Sequence, residues 1–183
     1  MIYALIASLL LGAVMTLGDF IWAALHLPHR VAYGLIHGAV MCLCLGLAVG
    51  IRAERPVAAV VAGPAIGVVA AAVFYALAPA LRWGAMFPAW MLLWILFALL
   101  QRRLDARESL GPTLIRGVAA ALLSGAAFYS ISGIWTRHAQ WSIALQFAAW
   151  SFAFVPGFVA LFWRRAARLP AASATNVPRS NGR

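Results

Sequence analysis

Residues 18–38 read GDFIWAALHLPHRVAYGLIHG, and this stretch contains Asp19, the one carboxylate of the chain that falls inside an apolar run. The stretch joins the end of one apolar segment to the start of the next through a short turn around Pro28. An apolar segment of about 20 residues is long enough to cross the hydrocarbon core of a bilayer as a helix. The stretch therefore predicts a hairpin of two membrane helices, with an ionisable group inside one of them.

The rest of the chain has the same apolar character. Of its 183 residues, 65% are hydrophobic and 10% are charged, and the mean hydropathy is +0.93. Soluble domains are about half apolar and about a quarter charged. We therefore expect an all-α polytopic membrane protein with six transmembrane helices in one domain, residues 1–168. The predicted helices are Ile2–Leu25, Val31–Ile51, Val57–Leu81, Ala85–Gln101, Leu114–Trp135 and Gln140–Trp163.

Positive charge is distributed unevenly between the two ends of these helices. All 14 basic residues are Arg, and the net charge is +10. Only Arg30, Arg82 and Arg137 belong to the end that carries the first, third and fifth turns, and the other eleven belong to the opposite end. The positive-inside rule then predicts that both termini are cytoplasmic. Arginines in short turns between apolar spans argue against a nucleic-acid partner and favour contact with membrane lipids.

Short sequence similarities relate the three predicted hairpins. Residues 12–22 align without gaps with residues 125–135 and are identical at four of eleven positions, and residues 71–81 fit the same frame. Two interpretations remain open. Either the protein consists of three repeated helical hairpins, a symmetry known from membrane folds, or small and aromatic residues recur by chance.

Small residues recur at every fourth position on four of the predicted helices. The stripes consist of Ala4, Ser8, Gly12 and Thr16; Gly34, Gly38, Cys42, Gly46 and Gly50; Ala59, Gly63, Gly67 and Ala71; and Gly117, Ala121 and Gly125. Such stripes allow the close backbone approach through which helices associate in lipid. We therefore expect the first, second, third and fifth helices to form a tight inner bundle, and the bulkier fourth and sixth helices to lie further out.

Asp19 and His37 are predicted to lie at matching depth on neighbouring helices. Asp19 is six residues before Leu25 and His37 is six residues after Val31, so each lies roughly 9 Å below the outer boundary. An ionisable side chain within a span costs about 2.5 to 3.5 kcal/mol. The carboxylate is therefore expected to have a polar partner, and the imidazole is the nearest candidate.

A ligand pocket around this pair, near the outer leaflet, is the favoured interpretation. Trp22 and Tyr33 are expected to form its aromatic rim. The alignment of the hairpins places Ser132 over Asp19 and brings Gln146 to the depth of His37. The predicted ligand-binding set is Asp19, Trp22, Tyr33, His37, Ser132 and Gln146, with Ser130 as an alternative to Ser132.

Three other interpretations of the pair remain open. A buried ion pair of Asp19 with His37 or an arginine would serve packing alone. An Asp–His dyad would act as a general base on a lipid substrate. A metal site would draw on His26 and His29, together with Asp19, His37 and, as a further candidate, His138, although Pro28 between His26 and His29 prevents a helical ligand pair.

The favoured function is the binding or transport of a small amphipathic or lipid-like ligand, with proton coupling through Asp19 as an option. The chain lacks Gly-x-Ser-x-Gly, His-Glu-x-x-His and a nucleotide-binding loop, so an enzyme is the less favoured class and no catalytic residue is assigned. No cofactor is expected, and a homo-oligomer or a partner subunit is compatible with the pattern. Short loops favour a multi-pass protein of the inner (plasma) membrane. Residues 169–183 are too polar to pack and are expected to form a disordered cytoplasmic tail.

Overall fold

The protein is all-helical, and six of its helices are long and apolar enough to cross a membrane. A computed structural model describes residues 1–25, 29–105, 109–135 and 142–163. The helices are α1 (Ile2–Leu25), α2 (Arg30–Arg52), α3 (Pro56–Leu81), α4 (Met86–Leu104), α5 (Leu110–Trp135) and α6 (Ile143–Phe162). A short 3₁₀ turn, Arg82–Ala85, links α3 to α4. The predicted tail, residues 169–183, lies outside the described residues.

The helices form a closed ring in chain order. Each of α2, α3, α4 and α5 packs on the next helix along the chain, and α6 returns to pack on α1. The weakest neighbour contact in the ring is the one between α1 and α2. Consecutive helices run in opposite directions, so the arginine-bearing ends of α2 and α4 lie at one end of the bundle, which we call the arginine-rich end.

The contact between α2 and α3 is built on small residues, as their stripes predict. A Cβ atom added to Gly38 would lie 2.9 Å from the carbonyl oxygen of Gly67, and one added to Gly46 would lie 2.5 Å from that of Ala59. A Cβ added to Gly63 would overlap the backbone of Cys42. The two backbones therefore approach as closely as the absence of side chains allows, which is how small residues hold helices together in lipid.

The small stripe of α1 packs on α6 rather than on α2. Gly12 lies against Ser151, whose backbone nitrogen would be 2.9 Å from an added Cβ. Ser8 and Thr16 are buried, and each hydroxyl donates to a carbonyl of its own helix, Ala4 at 2.8 Å and Gly12 at 2.8 Å. Both polar side chains are thus satisfied within α1, and the stripe presents a nearly apolar face to α6.

The expectation that the fourth and sixth helices lie outside a bundle of the other four is wrong. The largest fully buried side chains come from these two helices, namely Trp94 and Phe97 of α4 and Phe154 and Phe158 of α6. Gly157 lies against the ring of Trp94, so the α4 indole packs directly on the α6 backbone. Bulky aromatic side chains fill the centre of the ring here, whereas the small-residue helix α3 has the smallest share of buried residues among the six spans.

Candidate functional site

A cavity of about 860 Å³ opens in the half of the bundle away from the arginine-rich end. All six helices contribute to its lining. Its floor is formed by Met15 of α1, Met41 of α2 and Leu93 of α4, which lie close to the middle of their helices. The volume falls within the range of about 300 to 1,000 Å³ that is typical of small-molecule sites.

Asp19 lines the cavity and is held by two donors from α6. Its Oδ2 atom accepts a hydrogen bond from Gln146 Nε2 at 2.7 Å and another from Trp150 Nε1 at 2.8 Å. Both distances are short enough for bonds to an ionised acceptor. The other oxygen, Oδ1, accepts no hydrogen bond from a residue that the structure describes. The carboxylate is therefore fixed on one side and has acceptor capacity left on the other.

The start of α6 places these donors. Ser142 is the N-cap, and its hydroxyl accepts a hydrogen bond from the backbone nitrogen of Leu145 at 3.3 Å, which satisfies a donor of the first helical turn. Gln146 lies in that turn, and Trp150 follows four residues later on the same helical face. The side chains of Gln146 and Trp150 therefore converge on Oδ2 of Asp19 in α1.

His37 lines the same cavity and interacts with Tyr33 one turn earlier on α2. The Tyr33 hydroxyl lies 3.0 Å from Nδ1 of His37 and 3.4 Å from the carbonyl oxygen of Gly18. Gly18 is also close to the imidazole, since an added Cβ would be 3.1 Å from Cε1 of His37. The absence of a side chain at Gly18 thus makes room for the ring beside α1. Asp19 and His37 line one cavity, but the hydrogen bonds of Asp19 go to α6 and not to the imidazole.

Tyr75 of α3 packs across the backbone of α2. Its ring covers Gly34, where an added Cβ would lie 2.6 Å from Cζ of Tyr75 and would overlap its hydroxyl. Phe74 stands next to it, with ring centroids 5.1 Å apart and the planes nearly perpendicular. Tyr75 thus brings a second phenol to the wall that already carries Tyr33.

The opposite wall is an aromatic cluster. Trp90 of α4 stacks between Phe128 of α5 and Phe154 of α6, with a centroid distance of 5.5 Å to each. Trp150 joins the cluster at 5.5 Å from Phe128 and 5.9 Å from Phe154. Trp150 therefore does two things, because its indole nitrogen holds Asp19 while its ring belongs to the apolar wall.

The structure brings together four of the six predicted ligand-binding residues, Asp19, Tyr33, His37 and Gln146, around one cavity. The side chains of the other two, Trp22 and Ser132, are outside the described part of the molecule. Ser130, the alternative to Ser132, is exposed and donates to the Ala126 carbonyl of its own helix.

Of the histidines considered as metal ligands, His26 and His29 belong to the stretch of sequence that joins α1 to α2, and His138 is outside the described residues. His29 is exposed at the N-cap of α2, and His26 is outside the described residues. Within the described ranges, no three His, Cys, Asp or Glu side chains are grouped closely enough to hold a metal ion.

Sequence reasoning did not include Trp150, Tyr75 or the aromatic cluster around Trp90 in the predicted ligand-binding set. The signal for Trp150 is its spacing of four residues from Gln146, which places both on one face of α6. The signal for Tyr75 is the glycine stripe of α2, because a helix without side chains on one face can receive a ring from its neighbour. Neither signal says which ring contacts which glycine, since that depends on the relative shift of two helices.

Comparison with protein-family models, with curated proteins and with solved structures finds no match to this chain. The interpretation of the site therefore depends on its geometry and chemistry.

Proposed function

We propose that this membrane protein binds a small amphipathic or lipid-like molecule in the cavity around Asp19 and His37, and that binding serves transport of that molecule. The observation that carries the proposal is an ionisable carboxylate, fixed by Gln146 and Trp150, on the wall of a cavity of about 860 Å³ with a mainly aromatic and methionine lining. A polar anchor in an apolar cavity suits a ligand with one polar end and an apolar body. Carboxylates inside membrane spans commonly mark substrate or proton pathways.

Proton coupling is part of the proposal. Asp19 and His37 are the described acid and base of the cavity, and both lie on its wall. A carboxylate that exchanges a proton when the ligand enters or leaves would link movement of the ligand to a pH gradient. The same groups support an enzyme less well, because a general base needs the imidazole to be oriented by the carboxylate, and here the imidazole contacts Tyr33 instead.

The arrangement in the membrane follows from charge. We place the arginine-rich end and both termini in the cytoplasm of the inner (plasma) membrane, by the positive-inside rule, so that the cavity lies in the outer half. The interpretation of the chain as three repeated hairpins is supported by the lining, to which each hairpin contributes aromatic or polar residues.

The first experiment asks whether the cavity holds a molecule. The protein is purified, reconstituted into nanodiscs and extracted with organic solvent, and the extract is analysed by mass spectrometry. We expect a molecule in near-stoichiometric amount that is depleted in Asp19→Asn and retained in Glu54→Gln, which neutralises an exposed acid in the turn between α2 and α3. Extracts that contain only bulk lipid, in the same proportions for all three proteins, would contradict the proposal.

The second experiment separates transport from binding alone. The molecule identified is loaded into vesicles that contain the protein, and flux is measured with and without a pH gradient. Flux that depends on the gradient and is lost in Asp19→Asn supports proton-coupled transport. Saturable binding without flux would instead assign the protein to receptors or sensors.

A further inference from the structure

We propose that the cavity selects organic monocations, meaning ligands in which an ammonium or similar cationic group is attached to an apolar body. This inference is based on the proposed ligand-binding function and specifies its chemical class. It depends on three features of the site: the oxygen Oδ1 of Asp19, which accepts no hydrogen bond from a described residue, the charges on the described lining, and the aromatic faces of the cavity.

The first feature is the acceptor that the protein leaves available. Gln146 and Trp150 both donate to Oδ2 of Asp19, and both are neutral. They orient the carboxylate and compensate part of its desolvation, but they bring no positive charge. A cationic group of a ligand would supply both a charge and, where it carries N–H, a donor for Oδ1. Charge-assisted bonds of this kind are roughly twice as strong as neutral ones.

The second feature is the charge of the wall. Among the described lining residues, Asp19 is the sole acid, His37 is the sole imidazole, and Lys and Arg are absent. Arg82, at the mouth side of the bundle, is exposed. Among the described lining residues, an anionic ligand would therefore meet a carboxylate and neither a guanidinium nor an ammonium group. A single carboxylate also provides too few oxygen ligands for Ca²⁺, which takes six to eight.

The third feature is the aromatic surface. Trp90, Phe128 and Trp150 line one side of the cavity, and Tyr33, Phe74 and Tyr75 line the other. Ring faces attract cations, and they do so more strongly where the site is shielded from water. Met15, Met41 and Met86 also line the cavity, and flexible thioether side chains adapt to apolar bodies of different shape. The combination favours a cation with a variable apolar group over a neutral lipid.

The test compares three probes that share one apolar body. They are 4-phenylbutyltrimethylammonium, its neutral isostere with carbon in place of nitrogen, and 5-phenylpentanoate. The quaternary ammonium has a permanent charge, so its binding does not depend on titration of the probe. Affinity is measured by equilibrium dialysis against the wild-type protein in nanodiscs of neutral lipid. We expect the cation to bind about tenfold more tightly than the neutral isostere, and the anion to bind least.

Variants of Asp19 and Glu54 then test which residue produces the preference for the cationic probe. Asp19→Asn is expected to lose most of the preference for the cation and to keep only the smaller part that the aromatic rings contribute, whereas Asp19→Glu and Glu54→Gln keep the full difference. The comparison of probes on the wild-type protein tests the inference even if Asp19→Asn does not fold. Equal binding of cation and neutral probe by the wild type would overturn the inference and leave the proposed ligand-binding function intact. Binding of none of the probes, together with the absence of an extracted small molecule, would overturn both.

Discussion

Trp150 has two roles that a substitution can separate. Its indole nitrogen donates to Asp19, and its ring packs on Phe128 and Phe154. In Trp150→Phe the aromatic contacts with Phe128 and Phe154 are largely kept, and the hydrogen bond to Asp19 is lost. A hydrogen bond to a charged group contributes about 1.5 to 3 kcal/mol. We therefore expect a lower Tm, measured by far-UV circular dichroism because that signal does not depend on tryptophan fluorescence.

The matched control is Trp163→Phe at the end of α6. Trp163 is 63% exposed, so the same chemical change there is expected to leave the Tm within about 1 °C of the wild type, because exposed substitutions are usually small in effect. Equal losses in the two variants would show that the bond to Asp19 contributes nothing specific.

A second residue-scale prediction concerns the contact between Gly34 and Tyr75. In Gly34→Ala the new methyl group occupies the space of the Tyr75 ring, so the ring has to move into the cavity. We expect Gly34→Ala to weaken binding of the extracted ligand or of the cationic probe. Adding Tyr75→Leu removes the clash and should restore part of the affinity. A double-mutant cycle measures this coupling, and additive effects of the two changes would mean that the ring is not held by Gly34.

Much of the site was predictable at the level of single residues. The free-energy cost of an ionisable side chain inside a membrane span is enough to identify Asp19 as part of a site. A carboxylate in an apolar span needs compensation, and counting residues from the helix ends gives its depth. The partner was harder to identify. Sequence reasoning favoured His37, whereas Gln146 and Trp150 provide the hydrogen bonds. The choice depends on how far α1 is rotated about its axis, and the sequence of α1 alone does not specify that rotation.

At the scale of secondary-structure elements, the prediction concerns the close contact between α2 and α3. In Gly67→Ala the added methyl group would overlap the carbonyl of Gly38. The Cβ atom is fixed to the backbone and the carbonyl is a backbone group, so no side-chain rotation relieves the clash. Overpacking of this kind typically costs about 1 to 3 kcal/mol. We expect a clear fall in the Tm of the purified protein.

Gly111 provides the control for that substitution. It lies in the first turn of α5, and an added Cβ would meet nothing within 4 Å. Gly111→Ala is therefore expected to change the Tm far less than Gly67→Ala does, because the new methyl group meets no neighbouring helix. If Gly67→Ala behaved like Gly111→Ala, the two helices would be further apart than the structure indicates.

The helices α1, α2 and α3 show how much a stripe of small residues predicts about helix packing. Stripes of small residues predict that a helix has a close neighbour, and for α2 and α3 the chain connection makes the neighbour obvious. For α1 it does not, since its stripe packs on α6. The stripes also led to the wrong prediction that α4 and α6 lie outside the bundle of the other four helices. In lipid, bulky aromatic side chains pack equally well at the centre of a six-helix bundle and on its outer surface. The hydropathy of a helix therefore does not distinguish a central position from an outer one.

At the scale of the whole molecule, the distribution of arginine predicts the orientation of the protein in its membrane. Ser109 precedes α5 at the arginine-rich end, and Ser142 is the N-cap of α6 at the opposite end. Both are exposed, and both precede a helix, so Ser109→Cys and Ser142→Cys form a matched pair. In intact cells a membrane-impermeant maleimide is expected to label Ser142→Cys, whereas Ser109→Cys should react only after the membrane is opened.

The native thiols provide the baseline for this experiment. Cys42 is fully buried between α2 and α3, and Cys44 is half-buried in the same span, so the parent protein should remain unlabelled under both conditions. The opposite pattern, with Ser109→Cys labelled in intact cells, would place the cavity in the cytoplasmic half. A site there would be reached first by ligands of the cell interior, whereas a site in the outer half would be reached first by ligands outside the cell. The labelling pattern therefore decides from which side of the membrane a ligand reaches the carboxylate of Asp19.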